Sequence, residues 1–186
     1  MRFNIQSKIF SGFNTFKGTF EKWKAENERI IFTNGCFDII HQGHIDSLLK
    51  SAELGTKLIV GLNSDKSVFL LKGINRPVFN VNARATILAA LEFVDAVVIF
   101  EEQTPEILIS QIIPDVLVKG KDYALHEIVG HEFVLNHGGE VKTLELLPDI
   151  STSLVIQRIK LLEDETFSDG FEYESIYREV ESFWIK

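Results

Sequence analysis

Apolar residues in this chain come in short unbroken runs, separated by stretches where they recur every three or four positions. Residues 29–33 ("RIIFT"), 57–62 ("KLIVGL"), 96–100 ("AVVIF") and 115–119 have the length and continuous hydrophobicity of strands buried on both faces. A fifth strand is expected in "EVKTLEL", entered through the turn Gly138-Gly139. The helical period predicts helices over 44–54, through "VNARATILAALEF" with Ile87, Leu88 and Leu91 on one face, over much of 124–136, and from Ser151 to Leu162. Asn80 reads as a cap of the second of these. Thr104-Pro105-Glu106 marks another helix start: a capping hydroxyl, proline in the first position, then an acid at the positive dipole end. Residues 66–79 are the least regular, a short helix running into a loop with Gly73 and Pro77.

Strands alternating with helices predict an α/β fold, a Rossmann-like open parallel sheet with helices on both faces. Both ends fall outside that pattern, which gives a domain at 29–162, a partly helical N-terminal extension at 1–28 and a C-terminal tail at 163–186. The extension carries Phe10, Phe13, Phe16, Phe20 and Trp23, and the tail carries Phe167, Phe171, Tyr173, Tyr177, Phe183 and Trp184. So many aromatics do not suit disordered segments. They are expected to pack on the domain or on a second copy, which makes a homodimer possible.

Composition changes this picture only by exclusion. At 45% hydrophobic and 25% charged, the chain has the make-up of a soluble globular protein. No apolar run approaches the roughly 18 residues of a membrane span, and "MRFNIQSKIF" lacks the apolar core of a signal peptide. The single cysteine, Cys36, excludes an internal disulfide, so a cytoplasmic location is expected. A net charge of -8 argues against a nucleic-acid partner but leaves small anions open, because backbone donors at a helix end act locally.

The candidate chemistry lies in "TNGCFDIIHQGHIDSL" (33–48), where the first buried strand gives way to a helix. Gly35 and Gly43 let the backbone approach a ligand closely, and the helix start offers unpaired N–H groups and positive dipole. His41 and His44, three residues apart, face the same side of the first turn. The combination reads as a phosphate clamp. A zinc site needs three or four ligands, and Cys36 sits too early in the turn to complete a set. "HEIVGH" (126–131) places three residues between Glu127 and His131, where a zinc-protease helix has two. Walker A and G-x-G-x-x-G sequences are absent. Cys36 reads as a small filler without a histidine partner, and Asp38 as a residue that holds the turn.

"GCFDIIHQGH" resembles the H-x-G-H signature of the nucleotidyltransferase superfamily. With "VGLNSD", "LKGINRPV", "RATILAALEFVDAVVIFEEQTPEILI", "PDVLVKGKDY", "GGEV" and "ISTSLVIQRI" following in order, the series is similar to the adenylyltransferases of ADP-heptose synthesis over residues 28–162. Adenylyltransferases for nicotinamide mononucleotide or phosphopantetheine usually have proline after F-D, where this chain has Ile39. Glycerol-3-phosphate cytidylyltransferases share "RxTIL" and "IST", but typically carry an arginine shortly before the Ser-Thr, where this chain reads "LELLPDIST".

The resemblance implies transfer of AMP from ATP to D-glycero-β-D-manno-heptose 1-phosphate, a step towards lipopolysaccharide core. Magnesium arrives with ATP and no metal site is built by the protein. A sugar kinase on a separate chain supplies the acceptor. The resemblance also implies roles for particular residues. His41, His44 and Lys72 act on the phosphates, and Thr33, Asn34, Gly35, Cys36, Phe37 and Gly43 form the nucleotide turn. Arg84 reaches the triphosphate or pairs with an acid, while Lys119, Gly120 and Asp122 meet the nucleotide and Tyr123 packs. Ser151, Thr152 and Ser153 offer hydroxyls and N–H groups at a second helix start, and Arg76 and Asn63 lie on the acceptor side. Two alternatives stand beside this reading: a cytidylyltransferase for glycerol 3-phosphate or a related polyol phosphate, and a nucleotide-sensing module without catalysis.

Overall fold

The structure, a computed structural model, describes residues 4–120, 125–145 and 147–164. Asp122, Tyr123 and the tail aromatics from Phe167 onward lie outside the described residues. Six strands form one sheet: β1 (Ile9–Phe10), β2 (Ile30–Gly35), β3 (Lys57–Asn63), β4 (Ala96–Phe100), β5 (Val116–Gly120) and β6 (Glu140–Leu144). Their order is β1-β4-β3-β2-β5-β6 and every neighbouring pair is parallel. The helices are α1 (Phe13–Ala25), α2 (Gln42–Ala52), α3 (Asp65–Lys72), α4 (Val81–Ala89), α5 (Glu106–Ile112), α6 (His131–Asn136) and α7 (Thr152–Asp164).

Successive strand residues point to opposite faces, and each face has its own core. Ile30, Phe32, Ile59, Ala96, Val98 and Leu117 pack beneath Phe16 and Phe20 of α1, Leu108, Ile109 and Ile112 of α5, and Val134 of α6. Ile31, Leu58, Val60, Leu62, Val97, Val116 and Val118 pack beneath Leu48 of α2 and Ala85 and Leu88 of α4. Burying one such side chain contributes about 1.5–3 kcal/mol, so unbroken apolar runs favour a sheet covered twice. This is the expected doubly covered α/β sheet.

Several expected details need correction. The strand at 29–33 continues two residues further, through Asn34 and Gly35, and α2 begins at Gln42 rather than at His44. The single helix expected over 124–136 is a 3-10 turn at Leu125–Glu127 followed by α6, because Gly130 adopts a left-handed φ of 84°. In α4, Ile87 faces solvent, while Arg84, Ala85, Leu88 and Ala89 face inward. Asn80 does cap α4, its Oδ1 accepting from Ala83 N at 3.0 Å. Pro105 occupies the cap position of α5, and Thr104 supplies no capping hydrogen bond there.

The N-terminal segment joins the sheet, with Ile9 and Phe10 pairing with Val97 and Val98 of β4. Lys8 Nζ donates to Val94 O at 2.7 Å and fixes that edge. Phe16 and Phe20 enter the core, and Phe10, Phe13 and Trp23 pack against it, so these aromatics find their partners within their own chain. Residues up to Thr152 form one compact unit and those from Ser153 a second. No helix among the described residues is long and apolar enough to cross a membrane.

Candidate active site

The sheet's connections run outward from β2 in both directions, so the strand order reverses between β2 and β5. Open parallel sheets bind ligands at such a point, beyond the carboxyl ends of the strands. Here the two strands part early. Pairing of β2 with β5 ends at Phe32 and Leu117, whereas pairing with β3 continues to Gly35 and Leu62. A crevice opens between Thr33, Asn34 and Gly35 on one side and Lys119 and Gly120 on the other. Lys119 spans it, its Nζ donating to Asn34 O at 3.2 Å.

The turn after β2 is held in a costly shape. Phe37 has φ +44°, a left-handed conformation unusual for a bulky residue and worth about 1–3 kcal/mol of strain. A Cβ on Gly35 would lie 3.1 Å from the Phe37 ring, so glycine there leaves room for that ring. Asp38, 1% exposed, accepts from Val78 N at 2.8 Å and Phe79 N at 2.9 Å, and from Arg76 Nε. Burial by itself would raise the Asp38 pKa; hydrogen bonds from Phe79, Val78 and Arg76 outweigh it and hold the carboxyl below its ordinary value. Asp38 therefore holds the turn, as expected from sequence.

Arg84 holds it from the other side. Its fully buried guanidinium donates to Cys36 O at 2.6 Å, Phe79 O at 2.9 Å and Asp65 Oδ1 at 2.7 Å. All three nitrogens are engaged within the protein, and one of them makes the expected pairing with an acid, Asp65. Arg76 likewise commits Nε to Asp38. The Cys36 thiol is pushed up by burial, against the opposing charges of Lys72, Arg84 and Arg76, and stays protonated.

The two histidines stand at the start of α2. His41 is the N-cap residue, and its carbonyl accepts from His44 N at 2.9 Å and Ile45 N at 3.2 Å. The rings stack with centroids 3.8 Å apart, and Phe37 lies 5.3 Å from His44. Gly43 makes the stack possible: a Cβ there would meet His41 Cε1, His41 Nδ1 and Ile150 Cγ2, each at 3.2 Å. The close approach that Gly43 permits is thus the protein's own. Burial lowers the His41 pKa, and burial together with the His41 charge lowers that of His44 to about 4, against a hydrogen bond with Ile39. At neutral pH both rings are uncharged.

Three buried atoms here have no hydrogen-bond partner among the described residues: His41 Nδ1, His44 Nδ1 and Asn34 Oδ1. Such groups cost about 1–3 kcal/mol each and ask for an explanation. The helix end itself is also open. Ser64 caps α3 and Asn80 caps α4 through their side chains, whereas α2 has no side-chain cap. The first N–H groups of an uncapped helix, with the positive end of its dipole, are of the kind that can hold an anion.

Thr152 Oγ1 donates to Ile39 O at 3.5 Å, and Ser151 immediately precedes it. Ser153 belongs to the second unit. Lys72 is the exposed last residue of α3. Asn63 lies at the end of β3, 3% exposed, and its Nδ2 donates to Ser67 Oγ at 2.9 Å. Sequence reading missed Asp65 as the partner of Arg84, because no period links residues 19 positions apart. It also missed Gln103 and Glu127, which share a cleft with Asn34 and Asn63. Among the described residues, no group of three or more His, Cys, Asp or Glu side chains is arranged to hold a metal ion.

Comparison with known proteins agrees with this geometry. A family model described as cytidylyltransferase-like matches residues 32–158. The bifunctional protein HldE of Alcanivorax borkumensis is 51% identical over 140 residues, which cover 75% of this chain and 29% of that protein. That of Rhodopseudomonas palustris is 51% identical over 153 residues, covering 82% and 31%. The chain therefore spans less than a third of the length of these relatives. The crystal structure of the lipopolysaccharide core biosynthesis protein from Thermoplasma volcanium superposes with a TM-score of 0.54 at 27% identity, covering 64% of this chain and 97% of that one. With strand order, helix-end histidines and family model in agreement, the chain belongs to the cytidylyltransferase-like family.

Proposed function

We propose that this domain transfers AMP from ATP to D-glycero-β-D-manno-heptose 1-phosphate, forming ADP-heptose and pyrophosphate. The observation that carries the transfer chemistry is the stacked, neutral His41–His44 pair at the uncapped start of α2. The heptose acceptor rests on the motif series, with support from the identity to bifunctional HldE proteins and the likeness to a lipopolysaccharide core biosynthesis protein.

An oxygen of the sugar phosphate attacks the α-phosphorus in line, the bond to the β-phosphate oxygen breaks, and pyrophosphate leaves with the electron pair. No covalent intermediate on the protein is required. Charge grows on the phosphoryl oxygens, and donors already in place stabilise it without reorganising. His41, His44 and the first N–H groups of α2 are those donors. Being neutral, the rings avoid the mutual repulsion that two stacked cations would carry. Asp38 and Arg84 act at one remove, by fixing the turn and α2 relative to β2. A magnesium ion carried by the triphosphate would supply further charge neutralisation there. Lys72 closes over the phosphates from the end of α3, and the Lys119–Gly120 backbone meets the adenine. A kinase-type reaction must supply the anomeric phosphate of the acceptor.

The test crosses nucleotide with acceptor, measuring pyrophosphate release. ATP with heptose 1-phosphate is expected to be the fastest pair. Faster turnover of CTP with glycerol 3-phosphate would replace the proposal with its cytidylyltransferase alternative.

A further inference from the structure

The cleft at the ends of β2 and β3 has a chemistry of its own. Asn34 and Asn63 form its floor, and Gln103, Thr104 and Glu127 stand on its rim. Phe37, which lies against His44, belongs to the core layer of α2 and α4; Ile128, in the cleft wall, belongs to the layer of α1, α5 and α6. The cleft and the histidines therefore flank the end of β2 from opposite faces of the sheet. In-line transfer needs this kind of separation, because the attacking and leaving oxygens lie on opposite sides of the reacting phosphorus.

We infer that the cleft binds the polyol part of the acceptor, and that Gln103 and Glu127 select it by pairing with its hydroxyls. This inference rests on the adenylyl-transfer reading above. Lys119 lines the same cleft, its Nζ donating to Asn34 O at 3.2 Å, and the rim carboxylate of Glu127 offers oxygens that accept from hydroxyl groups. Planar amides and carboxylates present two polar atoms side by side, a match to neighbouring hydroxyls on a sugar. The unpartnered Asn34 Oδ1 needs a donor, which a hydroxyl provides and a phosphate oxygen does not. Asn63 is held in place for the same task, since Nδ2 donates to Ser67 Oγ and Ser67 Oγ donates to Glu102 O at 2.7 Å. Leu71, Pro105 and Ile128 give an apolar wall against which the carbon face of a sugar packs. Aromatic rings, the usual seat of a base, are missing among the described lining residues.

Steady-state kinetics on wild type, Gln103→Ala and Glu127→Gln distinguish the outcomes, with ATP and either heptose 1-phosphate or mannose 1-phosphate, its shorter hexose counterpart. Both side chains are exposed, so folding is expected to survive; circular dichroism checks it. The variants are expected to raise KM for heptose 1-phosphate by about 10-fold or more, to leave KM for ATP within about twofold, and to narrow the preference for heptose over hexose. A rise in KM for ATP with the acceptor's unchanged would assign the cleft to the nucleotide and overturn the inference while leaving the reaction intact. Unchanged constants for both substrates would also overturn it. Wild-type protein that makes no product from any sugar phosphate would sink the reaction itself and the cleft's assignment with it. Calorimetric binding of heptose 1-phosphate beside a non-hydrolysable ATP analogue gives a readout independent of turnover, with the same expected order of affinities.

Discussion

The first turn of α2 and the segment after α3 are built in opposite ways, though both adjoin the turn after β2. The α2 turn is closely packed around its glycine: a Cβ on Gly43 would meet both the His41 ring and Ile150, and Phe37 lies beside His44. The end of α3 leaves Phe69, Leu70 and Leu71 about half exposed and the following Ile74 83% exposed. Gly73, at φ +92°, turns the chain there with open space around it. Its moorings to the body of the fold are Arg76, Val78 N and Phe79 N on Asp38, and Phe79 O on Arg84. The two segments thus differ in packing: one is closely filled, the other largely exposed.

Cutting the mooring is the strongest way to break that contrast. Asp38→Ala leaves two backbone N–H groups and a largely covered arginine without their acceptor, so a loss of about 3–5 kcal/mol is expected in urea or thermal unfolding. Asp38→Asn keeps the shape without the charge and should lose less. Melting of the alanine variant at the wild-type temperature would mean that the segment is anchored elsewhere.

The histidines sharpen the other half. His41→Ala and His44→Ala are each expected to lower kcat about 10²-fold, or about 2.7 kcal/mol, while the fold survives. Wild-type turnover in both would end the clamp reading. His44 adds a pH signature. Its folded pKa, about 4, lies below the ordinary 6.5 of an unfolded chain, so between those values the unfolded state binds more protons. Its contribution is full above pH 6.5 and is lost as pH falls towards 4, about 3 kcal/mol in all. His44→Ala should flatten that acid limb of the stability curve. A limb of wild-type steepness in the variant would place the titration elsewhere.

Much of this was legible in the sequence, for physical reasons that also mark where legibility stops. Buried strands advertise themselves by unbroken apolar runs, and Ala96–Phe100 has the expected bounds. Where a strand carries the site it turns polar, so Asn34 and Gly35 read as a loop although β2 continues through them. The edge strand β1 has only two residues, too few to show any period. The His-Gly-His pattern pointed to an anion, but the reason for the glycine, space for a histidine ring, appears only in three dimensions. Arg84 and Asp65 are ordinary helix charges by sequence, and burial turns one of them into a strut. The cleft was invisible because Asn34, Asn63, Gln103 and Glu127 come from four separate segments.

Lys72 carries the smallest expected effect and the finest test of the contrast between the filled turn and the exposed segment. It is exposed, ends α3 and precedes Gly73, yet its charge still reaches the Cys36 thiol in the turn after β2. A lysine that only solvates the surface would change nothing when removed. One that closes over the phosphates would leave the melting temperature alone and lower turnover. Lys72→Ala is expected to cut kcat about 10-fold, about 1.4 kcal/mol, with unfolding unchanged. Lys72→Arg should recover part of that loss, since a mobile cation needs charge and reach more than a fixed geometry. Equal kcat in all three proteins would leave the segment as a solvated wall and assign the whole of the phosphate chemistry to α2.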